Sequence, residues 1–356
     1  MDNFAKQPDT ERRELLSEAA NRRDSTEIIM EKDLWVCWTL KRLFTNPKLS
    51  PHLTFKGGTS LSKSYSLIER FSEDIDLTIN RAAPYLKDGQ DPMEDGISNK
   101  ERARRIKSLG EHARHFVKDV VLPALQADIG AQLGDIDTWH LSLDPEDPDQ
   151  QTLLFHYPKV FSYGGYGSGL YGVGPYGVSA PASYIRPQIK LEFGARGEIE
   201  PNEKRPIKPY AAEEFPDLFE NPVVEVSVLA AERTFWEKAT ILHALYHGAK
   251  MRDRMSRHYY DTFMLSQRGI AKKSLQYPEL LTNVVKNKSL LFRDAKASYE
   301  TAHIGALKLL PTEQKIPALR QDYARMDEMF MTEYPSFDEI LNELKELEDV
   351  INSAKS

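Results

Sequence analysis

The stretch FKGGTSLSKSYSLIERFSEDIDLTI, residues 55–79, decides the fold of this 356-residue chain. A short apolar strand ends near Lys56, two glycines form a turn, and a helix opened by Thr59 or Ser60 follows. From Asp74 onward, polar and apolar residues alternate strictly, as a half-buried strand requires. The apolar face of that strand carries Ile75, Leu77 and Ile79. The stretch therefore predicts a strand, a glycine turn and a helix, followed by a second strand.

The glycine turn has the composition of a phosphate-binding loop. Glycine lets backbone N–H groups approach phosphate oxygens, and the dipole at a helix N-terminus favours anions. Gly57 and Gly58 would supply the backbone of this cradle, and Thr59 and Ser60 would add hydroxyl donors. A turn that only caps a helix has the same composition, so the turn alone does not establish a binding site.

Two aspartates occupy alternate positions of the second strand. Asp74 and Asp76 point the same way, which brings two carboxylates within reach of one or two hard cations such as Mg²⁺. A solvated strand face would explain this pair about as well. The glycine turn upstream favours metal binding, because nucleotidyl transfer needs metal ions that bridge triphosphate oxygens and activate a hydroxyl group.

A third carboxylate is expected on a later strand. Residues 184–193 alternate between polar and apolar positions, and Glu192 lies on the polar side with Lys190. If this strand lies beside the strand with the two aspartates, Glu192 completes a metal site with Asp74 and Asp76. An exposed amphipathic strand is the competing interpretation.

The pattern of apolar residues divides the chain near residue 229. The sequence predicts an α/β (α+β) fold, with a mixed sheet and flanking helices in a catalytic domain of residues 1–228. Residues 229–356 form a mostly helical C-terminal domain. The predicted helices cover residues 25–45, with Ser25 as the N-cap, 99–126, 231–246 and 256–267, and later strands cover 152–157, 184–193 and 223–228.

Composition places the chain among globular enzymes. Hydrophobic residues make up 40% of the chain and charged residues 28%, as in ordinary folded domains. No apolar run approaches the length of a membrane span, and the polar start lacks the apolar region of a signal peptide. We therefore expect a cytoplasmic protein with no membrane partner. Cys37 is the only cysteine, and its apolar neighbours predict a buried core residue without a catalytic role.

Two basic segments and one glycine-rich segment are candidates for contact with nucleic acid. The net charge is −7, yet basic residues crowd residues 100–118 and 250–257. Solvated helix faces are the simpler interpretation of such runs. Residues 163–177 are rich in glycine and tyrosine. Their rings would be able to stack on bases, but a long hairpin loop is the favoured interpretation.

Several motifs in one order resemble the AbiEii/AbiGii family of nucleotidyltransferase toxins, within the nucleotidyltransferase-fold superfamily. The motifs are KGGTSLSK, IERFSEDIDL, YIRPQIKLEFGARG, ERTFWEKATILH and SRHYYD, and the likeness runs from about residue 31 to residue 261. The resemblance implies a toxin that acts with a neighbouring antitoxin protein in a toxin–antitoxin or phage-defence pair.

The resemblance also implies roles for particular residues. The positions carried over are Gly58 and Thr59 for phosphate, Asp74 and Asp76 for the metals, and Lys238 and Asp261 from the helical domain. From the residues alone, Lys238 is a charge in a largely apolar helix and needs an anionic partner if it is buried. The triphosphate and Asp261 are both candidates. Arg257 stands four residues before Asp261, so a pair between these two side chains is a further alternative.

The sequence thus predicts a nucleotidyltransferase that uses an NTP and Mg²⁺, with two ions expected, and releases pyrophosphate. By resemblance the acceptor is RNA, with the 3′ end of tRNA as the favoured site. The two basic segments are candidate contacts to RNA phosphates. Two alternatives stay open: transfer to a protein hydroxyl (AMPylation), and a non-catalytic protein that sequesters its antitoxin or RNA.

Overall fold

The computed structural model describes residues 1–86, 90–134, 138–162, 185–249 and 252–354. Within these ranges, seven strands form one mixed sheet with flanking helices, and further helices follow the last strand. This arrangement confirms the predicted α/β fold class. The glycine- and tyrosine-rich residues 163–177 lie outside the described residues. In the described ranges, no helix is both long enough and apolar enough to cross a membrane.

Helices and strands alternate in the first part of the chain, and helices alone follow. The first helices are α1 (Asp2–Ala5), α2 (Asp9–Arg22), α3 (Glu27–Thr45), α4 (Gly57–Lys63), α5 (Asn99–Phe116), α6 (Leu122–Leu133) and α7 (Tyr210–Glu214). The strands are β1 (Leu53–Lys56), β2 (Ile75–Ile79), β3 (His140–Leu143), β4 (Thr152–His156), β5 (Ile189–Gly194), β6 (Asn202–Ile207) and β7 (Val224–Leu229). The later helices are α8 (Ala231–His247), α9 (Ser256–Gln267), α10 (Ile270–Ser274), α11 (Pro278–Leu291), α12 (Ile316–Ala324) and α13 (Phe337–Ser353).

The order of strands in the sheet is β3-β4-β5-β2-β1-β7-β6. Strand β2 runs parallel to β5 and antiparallel to β1, and β1 runs parallel to β7. The register places Asp76 of β2 opposite Lys56 of β1 and opposite Glu192 of β5. Because partner residues on neighbouring strands point to the same face of a sheet, these three side chains share one face at the centre of the sheet.

Helix α3 packs against the sheet and begins one residue later than predicted. Its N-cap is Thr26, whose hydroxyl accepts a hydrogen bond from the N–H of Ile29 at 3.2 Å. The prediction of Ser25 as the cap was wrong, because Thr26 has the extended backbone that an N-cap requires. Cys37 in this helix is 0% exposed, which confirms the predicted core position, and burial raises the pKa of its thiol.

The predicted helix over residues 99–126 is one continuous helical segment that extends further. Helix α5 passes through a π-helical turn, Val117–Val121, into α6, which has a proline in its first turn. Proline has no N–H to donate to the preceding turn, and such π-helical turns interrupt the regular ladder locally. The segment ends at Gly134, which has a φ of +73°, and not at residue 126. Glycine adopts this backbone at helix ends without strain.

The sheet contains two strands that the sequence did not predict, and one strand is shorter than expected. Strands β3 and β6 lie at the two edges, where a short or polar sequence is tolerated. Pro206 interrupts the donor pattern of β6, as edge strands allow. The strand predicted from residue 184 begins only at Ile189, because Pro187 cannot donate a hydrogen bond to a neighbouring strand.

Two separate apolar clusters form the interior of the described residues. The first packs the sheet against α3, α5 and α6, and the second packs α8 and α9 against α12 and α13. Leu61 of α4 and Ile68 belong to the second cluster. The stretch 55–79 therefore contributes to both clusters. Apart from Leu61 and Ile68, the buried members of the second cluster begin at Phe235, and those of the first end at Val228. The domain boundary at residue 229 remains a prediction.

Candidate active site

The carboxylates singled out in the sequence lie on one face of β2 and β5. Asp76 and Glu192 are paired across these parallel strands, and Asp74 lies two residues before Asp76. Burial raises the pKa of Asp76 to about 7, and the nearby charges of Glu192 and Asp74 add to this effect. Burial also raises the pKa of Asp74, with Glu73 and Glu192 acting in the same direction. Negative charge is therefore crowded here, as in a site that receives a cation.

The third predicted acid is placed beside the other two but has a partner of its own. Glu192 forms an ion pair with Lys190 at 2.6 Å. Among the described residues, no three His, Cys, Asp or Glu side chains form a group that could hold a metal ion. The oxygen ligands of Asp74, Asp76 and Glu192 nonetheless have the chemistry that Mg²⁺ prefers, and their crowded charge fits a divalent cation.

The glycine turn lies directly against Asp76. Gly57 has a φ of +79°, and a Cβ atom there would lie 2.8 Å from Cγ of Asp76 and closer still to its Oδ2. A Cβ on Gly58 would lie 2.7 Å from Nη2 of Arg70 and 2.8 Å from the hydroxyl of Ser72. Both glycines are needed for close approach, so any side chain here would displace a polar group of the site. Helix α4 begins at Gly57, before both predicted starts, Thr59 and Ser60.

The hydroxyl groups of Thr59 and Ser60 donate hydrogen bonds to backbone carbonyls. Thr59 donates to the carbonyl of Asp74, and its Oγ1 lies 3.0 Å from the hydroxyl of Ser72. Ser60 donates to the carbonyl of Gly57 at 2.8 Å. Thr59 and Ser60 are 0% exposed. These bonds hold the glycine turn against the start of β2, and a contact of either hydroxyl with phosphate stays a prediction.

Lys238 and Asp261 meet in a buried cluster of charges with Arg70. Nζ of Lys238 lies 2.5 Å from Oδ2 of Asp261. Arg70 donates two hydrogen bonds to the same carboxylate, from Nε at 2.8 Å and from Nη2 at 2.9 Å. Burial alone would raise the pKa of Asp261, but Arg70 and Lys238 outweigh burial and hold it below its usual range. Burial lowers the pKa of Lys238, and Asp261 offsets part of this effect.

Arg257 does not pair with Asp261, so the structure excludes the alternative in which these two residues pair along the helix. The carboxylate of Asp261 already accepts from Arg70 and Lys238, and a bidentate arginine contact is geometrically favoured. Nε of Arg257 is buried and has no hydrogen-bond partner within the described part of the chain. The neighbouring His258 is held neutral, because burial and the charges of Lys238 and Arg257 lower its pKa well below the usual value.

A cavity of about 200 Å³ joins these groups. Its walls include the glycine turn and carboxylates on one side and the cations of α8 and α9 on the other. Among the lining residues are Gly57, Gly58, Asp74, Asp76, Lys238 and Arg257. Glu192 also lines the cavity, whereas Asp261 lies behind Lys238 and is 0% exposed. The structure thus places anionic and cationic groups around one space between the sheet and the later helices.

Several residues of this cavity were not predicted as site residues. Arg70, His258 and Lys56 line it together with Arg257. Arg70 belongs to the motif IERFSEDIDL, and Arg257 and His258 to the motif SRHYYD. Each of these two motifs also contains an aspartate that was assigned to the site, and this proximity was the available signal for the three residues. The contact of Arg70 with Asp261 spans 191 positions, so no local pattern was able to reveal it.

Charged residues of α3 support the site from behind. Lys32 pairs with Glu73, the neighbour of Asp74, and donates to the carbonyl of Arg186 at 2.6 Å. Asp33 pairs with Lys63 at 2.7 Å, at the end of α4. Lys32 and Asp33 are 2% and 1% exposed. Such buried pairs are costly to break by removing one partner, so α3 holds both α4 and the start of β2 in place.

The predicted basic surface of residues 100–118 is smaller than the sequence indicated. Arg102 and Arg105 are buried, and Arg105 forms ion pairs with acids of the same region. Lys107 and Arg114 line a cavity of about 260 Å³ on the surface of α5. Only the basic side chains of α5 that face solvent therefore remain candidates for contact with RNA phosphates.

Comparison with known proteins identifies a family and similar solved structures. A family model described as "Nucleotidyl transferase AbiEii toxin, Type IV TA system" matches residues 38–343. A solved structure of MenT4, the nucleotidyltransferase toxin Rv2826c from Mycobacterium tuberculosis H37Rv, is similar at 15% identity and a TM-score of 0.41. The match covers 96% of this chain and 99% of that chain. No curated protein matches the chain significantly. The family match begins within α3, ends within α13 and includes every cavity residue described above.

Proposed function

Because this chain belongs to the AbiEii family of nucleotidyltransferase toxins of type IV toxin–antitoxin systems, we propose that it transfers a nucleoside monophosphate from an NTP to RNA. The favoured acceptor is the 3′ end of tRNA. The observation that carries this proposal is the cavity in which Asp74 and Asp76 face Lys238 and Arg257. A triphosphate that arrives with a divalent cation needs carboxylates for the cation and cationic side chains for the phosphates.

Asp74, Asp76 and Glu192 are the residues that would hold Mg²⁺, with two ions expected. When bound, the metal neutralises phosphate charge and activates the attacking hydroxyl. Glu192 would exchange its contact with Lys190 for this role. Gly57 leaves room for the carboxylate of Asp76 to point into the cavity. The crowding of negative charge, seen in the raised pKa values of Asp74 and Asp76, supports this assignment.

The cations on the opposite wall would bind the triphosphate. Lys238 has three donors, of which one reaches Asp261, and the others are available to phosphate oxygens. Nε of Arg257 has no partner in the described residues, and its guanidinium matches the geometry of a phosphate group. Gly57 and Gly58 would offer backbone N–H groups from the other side. Asp261 serves as a positioning residue, because it orients Lys238 and lies behind it.

The proposed reaction transfers the nucleoside monophosphate of the NTP to the acceptor hydroxyl. The oxygen of the acceptor hydroxyl forms a bond to the α-phosphorus of the NTP, and the bond from this phosphorus to the bridging oxygen of the β-phosphate breaks. Pyrophosphate leaves on the side of Lys238 and Arg257, where its charge is matched. The hydroxyl gives up its proton to a carboxylate of the site. Modification of the 3′ end of tRNA would stop translation, which fits the action of a toxin.

Membership of a type IV family implies an antitoxin partner and an NTP substrate. We place the reaction in the cytoplasm, where NTP and tRNA occur together. A protein hydroxyl is the other class of acceptor, and a binding protein without activity is the third possibility. All three are separated by one experiment.

The experiment incubates the purified chain with Mg²⁺, each α-labelled NTP in turn, total RNA and cell protein. Label that is sensitive to nuclease and migrates with tRNA supports the proposal. Label that is sensitive to protease assigns the enzyme to protein modification. Absence of label with every NTP contradicts catalysis. Asp76→Asn, which keeps the shape of the side chain, should remove the label while thermal unfolding shows an intact fold.

A further inference from the structure

A second cavity, of about 500 Å³, opens beside the site. It shares Lys56, Asp76 and Glu192 with the cavity proposed for the nucleotide, so the two spaces meet at the carboxylates. A transfer reaction needs one space for the donor and another for the acceptor. Because Lys238 and Arg257 line only the first of these two cavities, the second is the place for the acceptor.

The rim of the second cavity carries an aromatic ring and a guanidinium group. Phe292 is 41% exposed, and the guanidinium carbon of Arg196 lies 5.1 Å from the centre of its ring. Both residues line the cavity. A single exposed phenylalanine is ordinary on a protein surface, so its exposure does not by itself indicate a site. The neighbouring guanidinium group and the fixed backbone beneath both side chains distinguish this position from an ordinary exposed ring.

The two side chains stand on backbone that is fixed from several sides. The carbonyl of Arg196 accepts hydrogen bonds from Asn287 at 3.0 Å and from Arg81 at 3.4 Å. Asn287 belongs to α11, and Phe292 follows the last residue of the same helix and donates its N–H to the carbonyl of Lys288 at 3.0 Å. Helix α11 therefore positions both the ring and the arginine. Preorganised groups lose little entropy when a ligand binds.

The charges around the second cavity favour a base over a phosphate. Six acidic residues line it, four of them within residues 144–149, against three basic residues, Lys56, Lys190 and Arg196. Asp144 and Asp147 accept hydrogen bonds from backbone N–H groups of their own loop, and Asp149 lies 3.7 Å from Arg196 in an exposed, weak ion pair. The acidic side formed by residues 144–149 repels phosphate but accepts a neutral base, whose amino groups donate to carboxylates.

A basic surface next to this cavity is suited to the phosphates of the RNA backbone. The cavity on α5 that contains Lys107 and Arg114 also contains Arg196. Arg196 therefore lies between a basic surface and the carboxylates of the site. An RNA strand bound along this path would have its backbone next to α5 and its 3′ end next to Asp76 and Glu192.

We propose that Arg196 and Phe292 form a stacking site for an unpaired base at the 3′ end of the RNA acceptor, next to the hydroxyl that receives the nucleotide. This inference rests on the proposed transfer to RNA. Bases at single-stranded ends are recognised by stacking on aromatic rings and arginine planes. The geometry thus assigns a positioning role to two residues outside the nucleotide cavity.

The test compares the transfer kinetics of matched variants of the full chain. Phe292→Ala raises the KM for acceptor RNA by roughly 5- to 150-fold, which corresponds to about 1–3 kcal/mol for one stacked base. The Kd for the NTP stays within about twofold, because Phe292 is absent from the lining of the nucleotide cavity. Phe292→Trp has a KM for RNA near that of the wild type. Phe292→Leu, which keeps apolar bulk without a ring, has the raised KM.

Tyr277→Ala is the matched control, because Tyr277 is 42% exposed and lies at the opposite end of α11. It leaves the KM for RNA unchanged. Crosslinking of RNA with 4-thiouridine at its 3′ end gives a second readout, which falls in Phe292→Ala and persists in Tyr277→Ala. Thermal unfolding of each variant shows that its fold is retained.

Each other outcome refutes a defined statement. If the chain labels RNA and Phe292→Ala has the wild-type KM, or if Phe292→Leu behaves like the wild type, the stacking site is wrong and the proposed function stands. If the wild type labels protein or nothing at all, the proposed function fails and the stacking site fails with it.

Discussion

Substitution of Gly57 by alanine should disable the site with only a modest loss of stability. The added Cβ would lie 2.8 Å from Cγ of Asp76, whereas two carbon atoms in contact prefer about 3.5–4.0 Å. The carboxylate of Asp76 must therefore move by about 1 Å. A displacement of this size in a reacting centre costs roughly 100-fold in rate, which is about 2.7 kcal/mol of transition-state stabilisation.

The same substitution carries a backbone cost that a control can isolate. Gly57 has a φ of +79°, and Gly269 has a φ of +76° with nothing within 4 Å of an added Cβ. Alanine in this left-handed conformation costs about 1–2 kcal/mol. Gly57→Ala and Gly269→Ala should therefore lose similar stability in urea denaturation. Only Gly57→Ala should lose nucleotide transfer, measured as initial rates with labelled NTP. Wild-type rates in Gly57→Ala, or equal losses of rate in the two variants, would refute the role given to this close approach.

Four further substitutions test the charged and hydrogen-bonded parts of the site. Asp261→Asn leaves buried cations without their shared anion and should destabilise the fold by about 3–5 kcal/mol in urea denaturation. Lys238→Met should cost less stability than Asp261→Asn yet abolish transfer, and an active Lys238→Met would remove this lysine from the proposed site. Burial keeps the pKa of His258 well below its usual 6.5, so below this pH only the unfolded chain binds the proton; stability should fall by about 1 kcal/mol from pH 6.5 to 5.5. His258→Gln should remove that part of the slope, and an unchanged slope would contradict the burial argument. Thr59→Val removes the hydrogen bond to the carbonyl of Asp74 and should cost about 1 kcal/mol in thermal unfolding, with a larger relative loss of transfer; a variant with wild-type rates would show that this bond does not position the aspartate.

The residues of the glycine turn and the acidic strand were predictable because their patterns are local. Strict alternation from Asp74 defined β2, and alternation around Glu192 defined β5. The structure places these two strands side by side. The predicted metal site with Glu192 was conditional on this adjacency. Alternation shows which face a residue occupies but not which strand lies next to it.

Contacts between distant segments were beyond the sequence. The pattern of charges along α9 left open a contact between Arg257 and Asp261, but Arg70, which is distant in the sequence, binds that carboxylate. Strand β6 was missed because its sequence, NEKRPI, is polar and contains a proline, which only an edge position tolerates. In both cases, tertiary neighbours decided the outcome over local preference.

The salt bridge between Arg70 and Asp261 also limits how the molecule can move during turnover. It joins the stretch 55–79 to α9, and the adjacent N–H of Phe71 donates to the carbonyl of Met329 at 2.6 Å. Swinging the later helices away from the sheet would break this buried pair and would also expose Leu61 and Ile68, which pack in the apolar cluster of those helices. Both effects favour the closed arrangement. We therefore expect substrates and products to exchange through the mouths of the two cavities.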